Sequence, residues 1–503
     1  MAHPRTTALA LVAVAGVTTS LGYAPVEQPF FTLLGVALYI VVCASTLVAA
    51  SSRRFMLLVG VLFAVSFMAP LIWWMNAVSH GAYATLVFAE VVLMAPLALS
   101  LRWASRRRMW PLWGSAVWVT FEALRSSFPF SGFPWGRLAH ATVDTPFAAF
   151  TRYIGPAATS AVVFLAAACV ASLVLYRTRR AIAISIAAFV ALASVGALLP
   201  TGLASPAGTR EVALIQGDVP GPAGTWPRGE IFRMHLQATA RLAADIQAGV
   251  RPQPDFVIWP ENGMDIDPHA DPAAAAALTQ MVKDVGAPIL VGGILDGPTP
   301  TTAYNAGFVW TEQGEEDRYI KRNLVPYGEY VPFRQVIGDL VPQFDREIPR
   351  DMLPGDQPGD LAIADITLGD AICWDVAYDS AIRDVINNGA QILTVQTSNA
   401  SFTGTSQPDQ QWQISRLRAI ETGRYILVPS TNGISGIADA HGKTLVKAPI
   451  HQPAIISMKV SLADGTTLGV RIGKWLEWLL IAATVAAMAA TVVNKRQMKR
   501  SQR

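Results

Sequence analysis

Hydrophobic residues in this chain form long unbroken runs near both ends and short runs separated by polar segments in the middle. A helix that crosses a bilayer needs about 20 consecutive apolar residues. Eight runs approach that length and predict eight transmembrane helices, at residues 7–23, 29–50, 55–75, 83–101, 110–125, 157–176, 181–199 and 475–493. No clear cleavage site follows the first run, so we interpret it as a retained helix rather than a signal peptide.

The middle of the chain shows short apolar strands that alternate with helical segments. Segments 306–310 and 318–320 flank a Gln-Gly turn and are typical of a hairpin, and hairpin-like pieces are also predicted at 433–438 and 454–460. Further strands are predicted at 211–215, 256–259, 288–292, 367–373, 391–397 and 425–430, and helices at 229–248, 271–285, 378–388 and 407–422. This alternation predicts an α/β layered sandwich with buried strands.

These patterns divide the chain into three parts. We expect a seven-helix transmembrane domain at 1–205, an α/β domain at 206–465, and a transmembrane helix with a basic tail at 466–503. Lys and Arg cluster in alternate loops, whereas the loops near 24–28 and 76–82 contain none. Since positively charged loops stay in the cytoplasm, both termini are expected to be cytoplasmic and the α/β domain extracytoplasmic.

Composition supports a membrane protein. Hydrophobic residues make up 52% of the chain and charged residues only 15%, which is low for a soluble domain. The net charge of +3 comes from basic residues beside apolar runs and not from a basic motif with interleaved aromatic residues. We therefore expect a membrane as partner and no nucleic acid.

Two features of the first 200 residues go beyond an anchor. Glu122 lies within an apolar run, where a carboxylate is a functional candidate, although a local pair with Arg125 explains it equally well. The loop 126–156 contains Phe128-Pro-Phe-Ser-Gly-Phe-Pro-Trp135. That segment is too aromatic for a solvated loop, and we expect it in the membrane interface.

Candidate chemistry follows three predicted strands. Glu261 comes directly after strand 256–259, Lys321 after the hairpin, and Cys373 at the end of strand 367–373. The other two cysteines, Cys43 and Cys169, lie in apolar runs, so Cys373 has no plausible disulfide partner in its own domain. A buried cysteine that acts only as a small hydrophobic residue is the simpler alternative for this thiol taken alone.

An acid, a lysine and a thiol at one edge of a sheet suit acyl transfer. A carboxylate can accept the thiol proton, and the thiolate can attack a carbonyl carbon. An ammonium group can lower the thiol pKa and offset charge on the tetrahedral oxyanion. The three residues together therefore predict a covalent acyl-transfer site at Cys373.

The segments around these residues resemble the Glu-Lys-Cys motifs of the nitrilase (carbon–nitrogen hydrolase) superfamily. With the flanking spans, the whole chain is similar to the apolipoprotein N-acyltransferase family. The most specific match is Lys321-Arg-Asn-Leu-Val-Pro-Tyr-Gly-Glu-Tyr-Val-Pro332, and Gly132-Phe-Pro-Trp135 and Ser430-Thr-Asn-Gly433 also resemble family motifs. The resemblance implies a membrane helical bundle joined to a nitrilase-like αββα sandwich.

The resemblance also implies roles for individual residues. Glu261 would be the general base, Lys321 the oxyanion stabiliser and Cys373 the nucleophile. Glu329 would orient the lysine or its loop. Supporting or substrate-binding positions would be Trp374, Asn399, Phe402 and Trp226.

Three positions depart from the family pattern. Phe402-Thr-Gly404 stands where Trp-Phe-Gly is common, Trp374-Asp375 where Tyr-Glu is usual, and Asn323 where His is common. These changes leave the proposed triad intact and affect the surroundings of the site.

The reaction implied is lipoprotein maturation at the bacterial cytoplasmic membrane. A phospholipid would donate a fatty-acyl chain to Cys373, and the α-amino group of an S-diacylglyceryl-cysteine lipoprotein would accept it. No cofactor or metal is expected, because the seven His residues show no ligand spacing. The oligomeric state is left open, with a monomer favoured over an oligomer. The alternatives are a membrane-tethered amidase acting on a small amide, and a multispan receptor or transporter.

Overall fold

The computed structural model describes residues 4–45, 48, 51–221, 225–335 and 348–501. The chain forms two compact units. Unit 1 comprises residues Met1–Pro200 and Leu468–Arg503, and unit 2 comprises Thr201–Thr467.

Unit 1 consists of apolar helices. They are α1 (Pro4–Ser20), α2 (Pro29–Ala44), α3 (Arg53–Leu71), α4 (His80–Met94), α5 (Leu97–Ser105), α6 (Trp110–Arg125), α7 (Thr151–Leu175), α8 (Arg179–Leu198) and α13 (Leu468–Ser501). Every predicted span falls on one of these helices or, for 83–101, on the consecutive pair α4 and α5. The predicted extension of the second span through residues 46, 47, 49 and 50 lies outside the described residues.

Helix length separates these spans into two groups. Among the described residues, five helical segments are long and apolar enough to cross a membrane: Arg53–Leu71, His80–Ala104, Pro146–Leu175, Arg179–Leu198 and Leu468–Met498. Helices α1, α2 and α6 have 17, 16 and 16 residues, or about 24–26 Å at 1.5 Å per residue. That is shorter than a typical hydrocarbon core of about 30 Å, so the structure supports a membrane protein and leaves the count of eight spans as a prediction.

Glycines allow α7 and α13 to pack closely. Gly155 has φ of 75° and interrupts the helical path of α7. A Cβ atom there would lie 2.9 Å from the Cα of Gly473, and one on Gly469 would lie 2.2 Å from the carbonyl oxygen of Thr151. Backbones that approach this closely are a common way for membrane helices to associate.

Residues 126–150 fold back into unit 1. Phe133 and Trp135 are buried, and short 3₁₀ turns follow at Leu138–Thr142 and Pro146–Phe150. Phe128 and Phe130 are exposed. Phe133 and Trp135 pack near Trp74 inside the helical unit, and the position of this loop at the membrane interface stays a prediction.

Unit 2 contains two sheets. The first has the order β13-β1-β2-β3-β4-β5, with β6 paired to β4, and the second has the order β12-β11-β10-β9-β8-β7. The strands are β1 (Pro206–Gln216), β2 (Phe256–Ile258), β3 (Ile289–Asp296), β4 (Thr302–Thr311), β5 (Gly314–Ile320), β6 (Asp351–Met352), β7 (Asp360–Ile363), β8 (Ile366–Ile372), β9 (Ile392–Gln396), β10 (Ile426–Val428), β11 (Gly436–Ala438), β12 (Thr444–Lys447) and β13 (Ala454–Ala463).

Helices cover the outer faces of both sheets. Helices α9 (Glu230–Gln247) and α10 (Pro272–Val285) pack on the first sheet, and α11 (Asp379–Asn387) and α12 (Gln407–Thr422) pack on the second. Strand β4 contacts β7 and β8 across the interior. This is the αββα sandwich that the family resemblance implied. The strands β1, β2 and β3 run parallel, as do β8, β9 and β10, so their carboxyl ends meet at one edge of each sheet.

The two predicted hairpin pieces have different outcomes. The piece at 433–438 does lie in hairpins, because β11 pairs antiparallel with its chain neighbours β10 and β12. The piece at 454–460 does not, because β13 pairs with β1 in the other sheet. Strand β13 thereby joins the end of unit 2 to its beginning. Sequence distance conceals this pairing, because nothing local in 454–463 specifies its partner.

Candidate active site

Cys373 occupies a sharp turn directly after β8. Its φ is 54°, a left-handed conformation that is uncommon and strained for a residue with a side chain. The residue opens a 3₁₀ turn, Cys373–Ala377, and is buried. Strain at a single nucleophile candidate is a typical feature of active sites.

Asp375 ties this turn to the segment after β5. Its Oδ2 atom accepts from the Tyr319 hydroxyl at 2.7 Å, and its Oδ1 atom accepts from Asn323 Nδ2 at 2.8 Å. Trp374 Nε1 donates to the carbonyl oxygen of Asn323 at 2.6 Å. Three of the residues that depart from the family pattern are thus connected, because Trp374 and Asp375 both form hydrogen bonds with Asn323.

Glu261 and Lys321 form a buried ion pair. The distance from Lys321 Nζ to Glu261 Oε1 is 3.1 Å, and the side chains are 1% and 6% exposed. The same ammonium group lies 3.0 Å from Glu329 Oε1. One cation is therefore shared by two carboxylates, as the predicted orienting role of Glu329 requires.

Asn305 completes this arrangement and was missed in the sequence. It lies in the middle of β4, and its Nδ2 donates to both Glu261 Oε1 and Glu329 Oε1, each at 2.7 Å. The backbone carbonyl oxygen of Asn305 accepts from the Lys321 backbone N–H at 2.9 Å. The available signal was a lone amide side chain in an otherwise apolar strand.

The second oxygen of each carboxylate is bound by backbone. Ser398 N–H donates to Glu261 Oε2 at 2.8 Å, and Val325 N–H donates to Glu329 Oε2 at 2.7 Å. Both carboxylates are thus fixed at both oxygens, so the site is preorganised before substrate binds.

The other predicted supporting positions are Asn399, Phe402 and Trp226. Asn399 is buried and accepts from Ser430 Oγ at 2.7 Å while donating to Gln407 Oε1 at 3.1 Å. These bonds brace the segment that carries Ser398, rather than pointing to substrate. Phe402 ends a short 3₁₀ turn and is half-buried, and Trp226 is half-buried in the segment before α9.

Burial and charge shift the pKa values of the site. Burial alone would lower the pKa of Lys321, but Glu261 and Glu329 outweigh burial and raise that pKa well above its usual value. Burial raises the pKa of Glu329, with Lys321 opposing that effect. The Lys321 side chain therefore stays protonated beside Glu261 and Glu329.

The thiol is protonated at neutral pH. Burial and then the charge of Glu261 raise the pKa of Cys373, while Lys321 and a hydrogen bond with the Thr397 side chain act to lower it. The sequence predicted that the lysine would lower the thiol pKa. Lys321 does act in that direction, but the net shift is upward because burial and Glu261 are stronger. Attack by Cys373 thus needs a base at the moment of reaction.

No group of three or more His, Cys, Asp and Glu side chains within the described residues is arranged to hold a metal ion. The arrangement at Cys373 is suited to covalent acyl chemistry.

The sandwich and its buried Glu-Lys-Cys arrangement define unit 2 as a carbon–nitrogen hydrolase domain. The family model described as "Carbon-nitrogen hydrolase" matches residues 211–468, and the model "Apolipoprotein N-acyltransferase N-terminal domain" matches residues 15–169. The chain belongs to the apolipoprotein N-acyltransferase family.

Individual relatives agree with this assignment. The apolipoprotein N-acyltransferase of Mycolicibacterium smegmatis is 31% identical over 461 residues, covering 86% of this chain and 77% of that one. The one from Vibrio vulnificus is 24% identical over 511 residues, covering 94% and 95%. Among solved structures, an amidase from Nesterenkonia sp. is 18% identical, covers 53% of this chain and 95% of its own, and has a TM-score of 0.35.

Proposed function

We propose that this protein transfers a fatty-acyl chain from a phospholipid to the α-amino group of an N-terminal S-diacylglyceryl-cysteine on a lipoprotein. The observation that carries the proposal is the shared ammonium group of Lys321, fixed between Glu261 and Glu329 beside a buried thiol. It occurs in a chain whose other unit is made of apolar helices, as lipid substrates require.

The first half-reaction acylates the thiol. Glu261 takes the proton from Cys373, and the thiolate sulfur attacks the carbonyl carbon of the phospholipid ester. Lys321 offsets the negative charge on the tetrahedral oxyanion. The intermediate collapses to a thioester, and the departing lysophospholipid oxygen takes its proton from Glu261.

The second half-reaction forms the amide. The neutral α-amino group of the acceptor attacks the thioester carbonyl carbon and gives a proton to Glu261. The C–S bond breaks, the proton returns to the leaving sulfur of Cys373, and the acyl chain is now joined to nitrogen. The enzyme is regenerated, so the kinetics are ping-pong.

Burial of the site serves this chemistry in two ways. A thioester needs protection from water between the two half-reactions, and a dry site provides it. Glu329 keeps Lys321 charged when Glu261 is neutralised by the transferred proton, because the second carboxylate remains beside the ammonium group.

The membrane arrangement proposed with this function keeps eight spans, with boundaries at 1–205, 206–465 and 466–503. Both termini would be cytoplasmic and the catalytic domain extracytoplasmic, in the bacterial cytoplasmic membrane. The protein would act as a monomer. The tethered amidase is the weaker alternative, because hydrolysis of a small amide gives no role to the helices of unit 1.

The test is the intact mass of the full-length protein purified with phospholipid. We expect wild type to carry a fatty-acyl mass increment that a diacylglyceryl-cysteine peptide removes, with the acyl chain appearing on the peptide amine. Cys373→Ala should carry none, whereas the matched control Cys169→Ala, in α7 of unit 1, should be acylated like wild type. Wild type that never carries an acyl group, yet releases ammonia from simple amides, would establish the amidase instead.

A further inference from the structure

A cavity at one end of unit 1 is lined by basic side chains. It has a volume of about 560 Å³ and lies where three helix ends meet. Arg53 begins α3, Arg102, Arg106 and Arg107 lie at and after the end of α5, and Lys495 lies near the end of α13. Five cationic groups thus line one cavity.

Unit 1 supplies no negative charge to balance them. Its sequence contains five carboxylates: Glu27, Glu90, Glu122, Asp144 and Glu477. None of the five lines the cavity. Like charges held this close repel one another, so an anion from outside the protein is favoured there.

Two of the cations are fixed in place by the helices. The Arg107 guanidinium lies 4.0 Å from the Trp103 ring centroid and donates to Thr491 Oγ1 of α13. Arg102 Nη1 donates to the carbonyl oxygen of Ser51 at 3.2 Å. The cavity is therefore built by side chains with defined positions, while Arg53, Arg106 and Lys495 are exposed at its mouth.

Apolar surface continues from the cavity along two helices. Leu57 and Leu58, one turn beyond Arg53 on α3, are 37% and 47% exposed, and Val492, just before Lys495 on α13, is 50% exposed. A phosphate group surrounded by arginines and attached to hydrocarbon matches both surfaces. Basic pockets between membrane helices bind anionic lipid headgroups in this way.

We propose that this cavity binds the phosphodiester headgroup of an anionic phospholipid, whose acyl chains lie along α3 and α13. The site shares no residue with the candidate site in unit 2. It therefore holds a structural lipid that is distinct from the acyl donor and does not depend on the proposed reaction.

The test measures lipid retention by the full-length protein in mixed micelles of phosphatidylglycerol and phosphatidylcholine. Native mass spectrometry counts the lipids retained by wild type, by the double variant Arg53→Gln/Arg106→Gln, and by a matched control, Arg179→Gln/Arg180→Gln. The control removes two charges at the start of α8 that do not line the cavity.

We expect wild type to retain phosphatidylglycerol in preference to phosphatidylcholine. Each cation near an anionic headgroup contributes about 1 kcal/mol, so removal of two should reduce that preference about 30-fold. The control should retain it, and 10-fold excess inorganic phosphate should not displace the lipid, because the acyl chains contribute. Equal retention of both lipids, equal loss in the control, or displacement by phosphate alone would each overturn the proposal.

A second and independent observation concerns Asp370, three residues before Cys373 on β8. The side chain is buried, and neither carboxyl oxygen has a hydrogen-bond partner in the part of the chain that the structure describes. The Oε1 atom of Gln396, on the neighbouring strand β9, also lacks one there. A Cβ atom on Gly307 would lie 2.3 Å from Asp370 Oδ2 and 2.4 Å from Gln396 Oε1.

Asp370 Oδ2 and Gln396 Oε1 therefore lie on either side of the same position beside Gly307. Two buried acceptor oxygens without a donor are unfavourable, and a proton on one of them removes that cost. We infer that Asp370 keeps its proton and donates it to Gln396 Oε1. Gln396 Nε2 in turn donates to the carbonyl oxygen of Trp259 at 2.6 Å. Trp259 precedes Glu261 by two residues, so Asp370 is a positioning residue for the segment that carries the proposed base.

The charged surroundings agree with this assignment. Burial first, and then the charges of Asp375 and Glu261, raise the pKa of Asp370 well above its usual value. Gly359 lies between the backbone carbonyl oxygen of Asp370 and the ring of Tyr319 on β5. The Tyr319 hydroxyl donates to Asp375. No cation is among the causes of the shift.

Stability against pH tests the protonation without reference to the reaction. An unfolded Asp ionises near pH 4, so a carboxyl that stays protonated in the folded state lowers the stability as pH rises above that value. Asp370→Asn keeps a donor and removes this titration. The melting temperature of Asp370→Asn minus that of wild type should therefore increase steadily from pH 5 to 8. The same difference for Asp365→Asn, in the exposed turn before β8, should not change with pH.

Activity tests the positioning role and rests on the proposed function. Asp370→Asn should keep kcat within about threefold of wild type, while Asp370→Ala should lose at least about tenfold in kcat with KM little changed. A melting difference for Asp370→Asn that does not vary with pH overturns the protonation. An Asn variant as inactive as the Ala variant overturns the donor role.

Discussion

Each unit of this protein buries a cluster of opposite charges, and the two clusters differ in balance. In unit 1, Arg125 pairs with Glu90 at 3.3 Å, with both side chains 2% exposed. Glu122 accepts instead from Trp118 Nε1 and from the Leu138 N–H, each at 2.9 Å. In unit 2, one ammonium group, Lys321, serves two carboxylates beside a thiol.

The partners of Arg125 test one of the two interpretations of Glu122, the local ion pair. A local pair with Arg125 is wrong, since the acidic partner of Arg125 is Glu90 on another helix. Arg125 Nη1 also donates to the carbonyl oxygen of Phe133 at 3.1 Å. The unit 1 cluster thus fastens the segment 126–150 to helices α4 and α6, which is a structural role.

The number of carboxylates around a buried cation determines whether one of them can accept a proton. When one buried cation is paired with one anion, protonation of that carboxylate would leave the cation buried without a partner. A cation shared by two anions leaves an excess negative charge, which can receive a proton from a neighbouring group without leaving the cation unpaired. The second arrangement is the one suited to general-base catalysis.

The largest expected effect separates the two carboxylates of unit 2. Glu261→Gln should reduce the rate of Cys373 acylation by about 10²–10⁴-fold, because it removes the proposed base. The measurement is time-resolved intact mass with phospholipid present. Glu329→Gln is the matched control and should cost about tenfold, since Glu329 acts through Lys321. A larger loss for Glu329→Gln would reverse the assignment of the base.

The next effect belongs to unit 1. Arg125→Met leaves the Glu90 carboxylate buried without its cation, and we expect a loss of about 3–5 kcal/mol in the free energy of unfolding. The double variant Glu90→Gln/Arg125→Met should recover most of that loss, measured by thermal unfolding in micelles. Acylation per folded molecule should stay unchanged in both, and a specific loss of acylation would contradict the structural role of this cluster.

Asn305 should show an intermediate effect. Asn305→Ala removes the donor that both carboxylates share, and we expect kcat to fall about 10–100-fold because Glu261 loses one of its fixed partners. Asn305→Asp places a third carboxylate beside Lys321 and should be at least as damaging. Acyl transfer to a diacylglyceryl-cysteine peptide is the assay. Full activity in the Ala variant would remove Asn305 from the site.

The smallest effect is a change in thiol reactivity with pH. Because burial and Glu261 raise the pKa of Cys373, alkylation by iodoacetamide should increase continuously up to about pH 10, with no plateau near neutral pH. Glu261→Gln removes the larger of the two carboxylate charges that raise this pKa and should increase alkylation severalfold at about pH 9–10, although it slows acylation. Cys373→Ala gives the background, and a fully reactive thiol at pH 6 would contradict the raised pKa.

Several parts of the site could be predicted from local patterns. Glu261 and Cys373 follow short apolar segments, which is why the sequence shows them as strand-end residues. The prediction that they share one sheet edge is wrong, because they follow β2 and β8 in different sheets. Lys321 follows the β4–β5 hairpin, whose Gln313-Gly314 turn is visible in the sequence. Helices α9, α10, α11 and α12 lie within two residues of their predicted bounds, since each has turn residues at its ends.

Other parts had only a weak local signal. Asn305 and Asp370 are single polar residues within buried strands, and a strand pattern alone gives no reason to connect them with Glu261 or Gln396. Their importance depends on which strands face each other across the interior, where β4 contacts β8. Spans α1, α2 and α6 look like full crossings by hydropathy, whereas the helices that the structure describes there have 17, 16 and 16 residues.

Local sequence patterns were sufficient to predict the division into apolar helices and an α/β unit, the strand ends that carry the candidate site residues, and the family. Periodicity and local turn residues are sufficient for these, because each depends on neighbours along the chain. Tertiary structure alone decided that β13 closes onto β1, that Arg125 pairs with Glu90, and that one lysine is shared by two carboxylates. These depend on contacts between distant segments, and burial makes such contacts strong without leaving a local trace in the sequence.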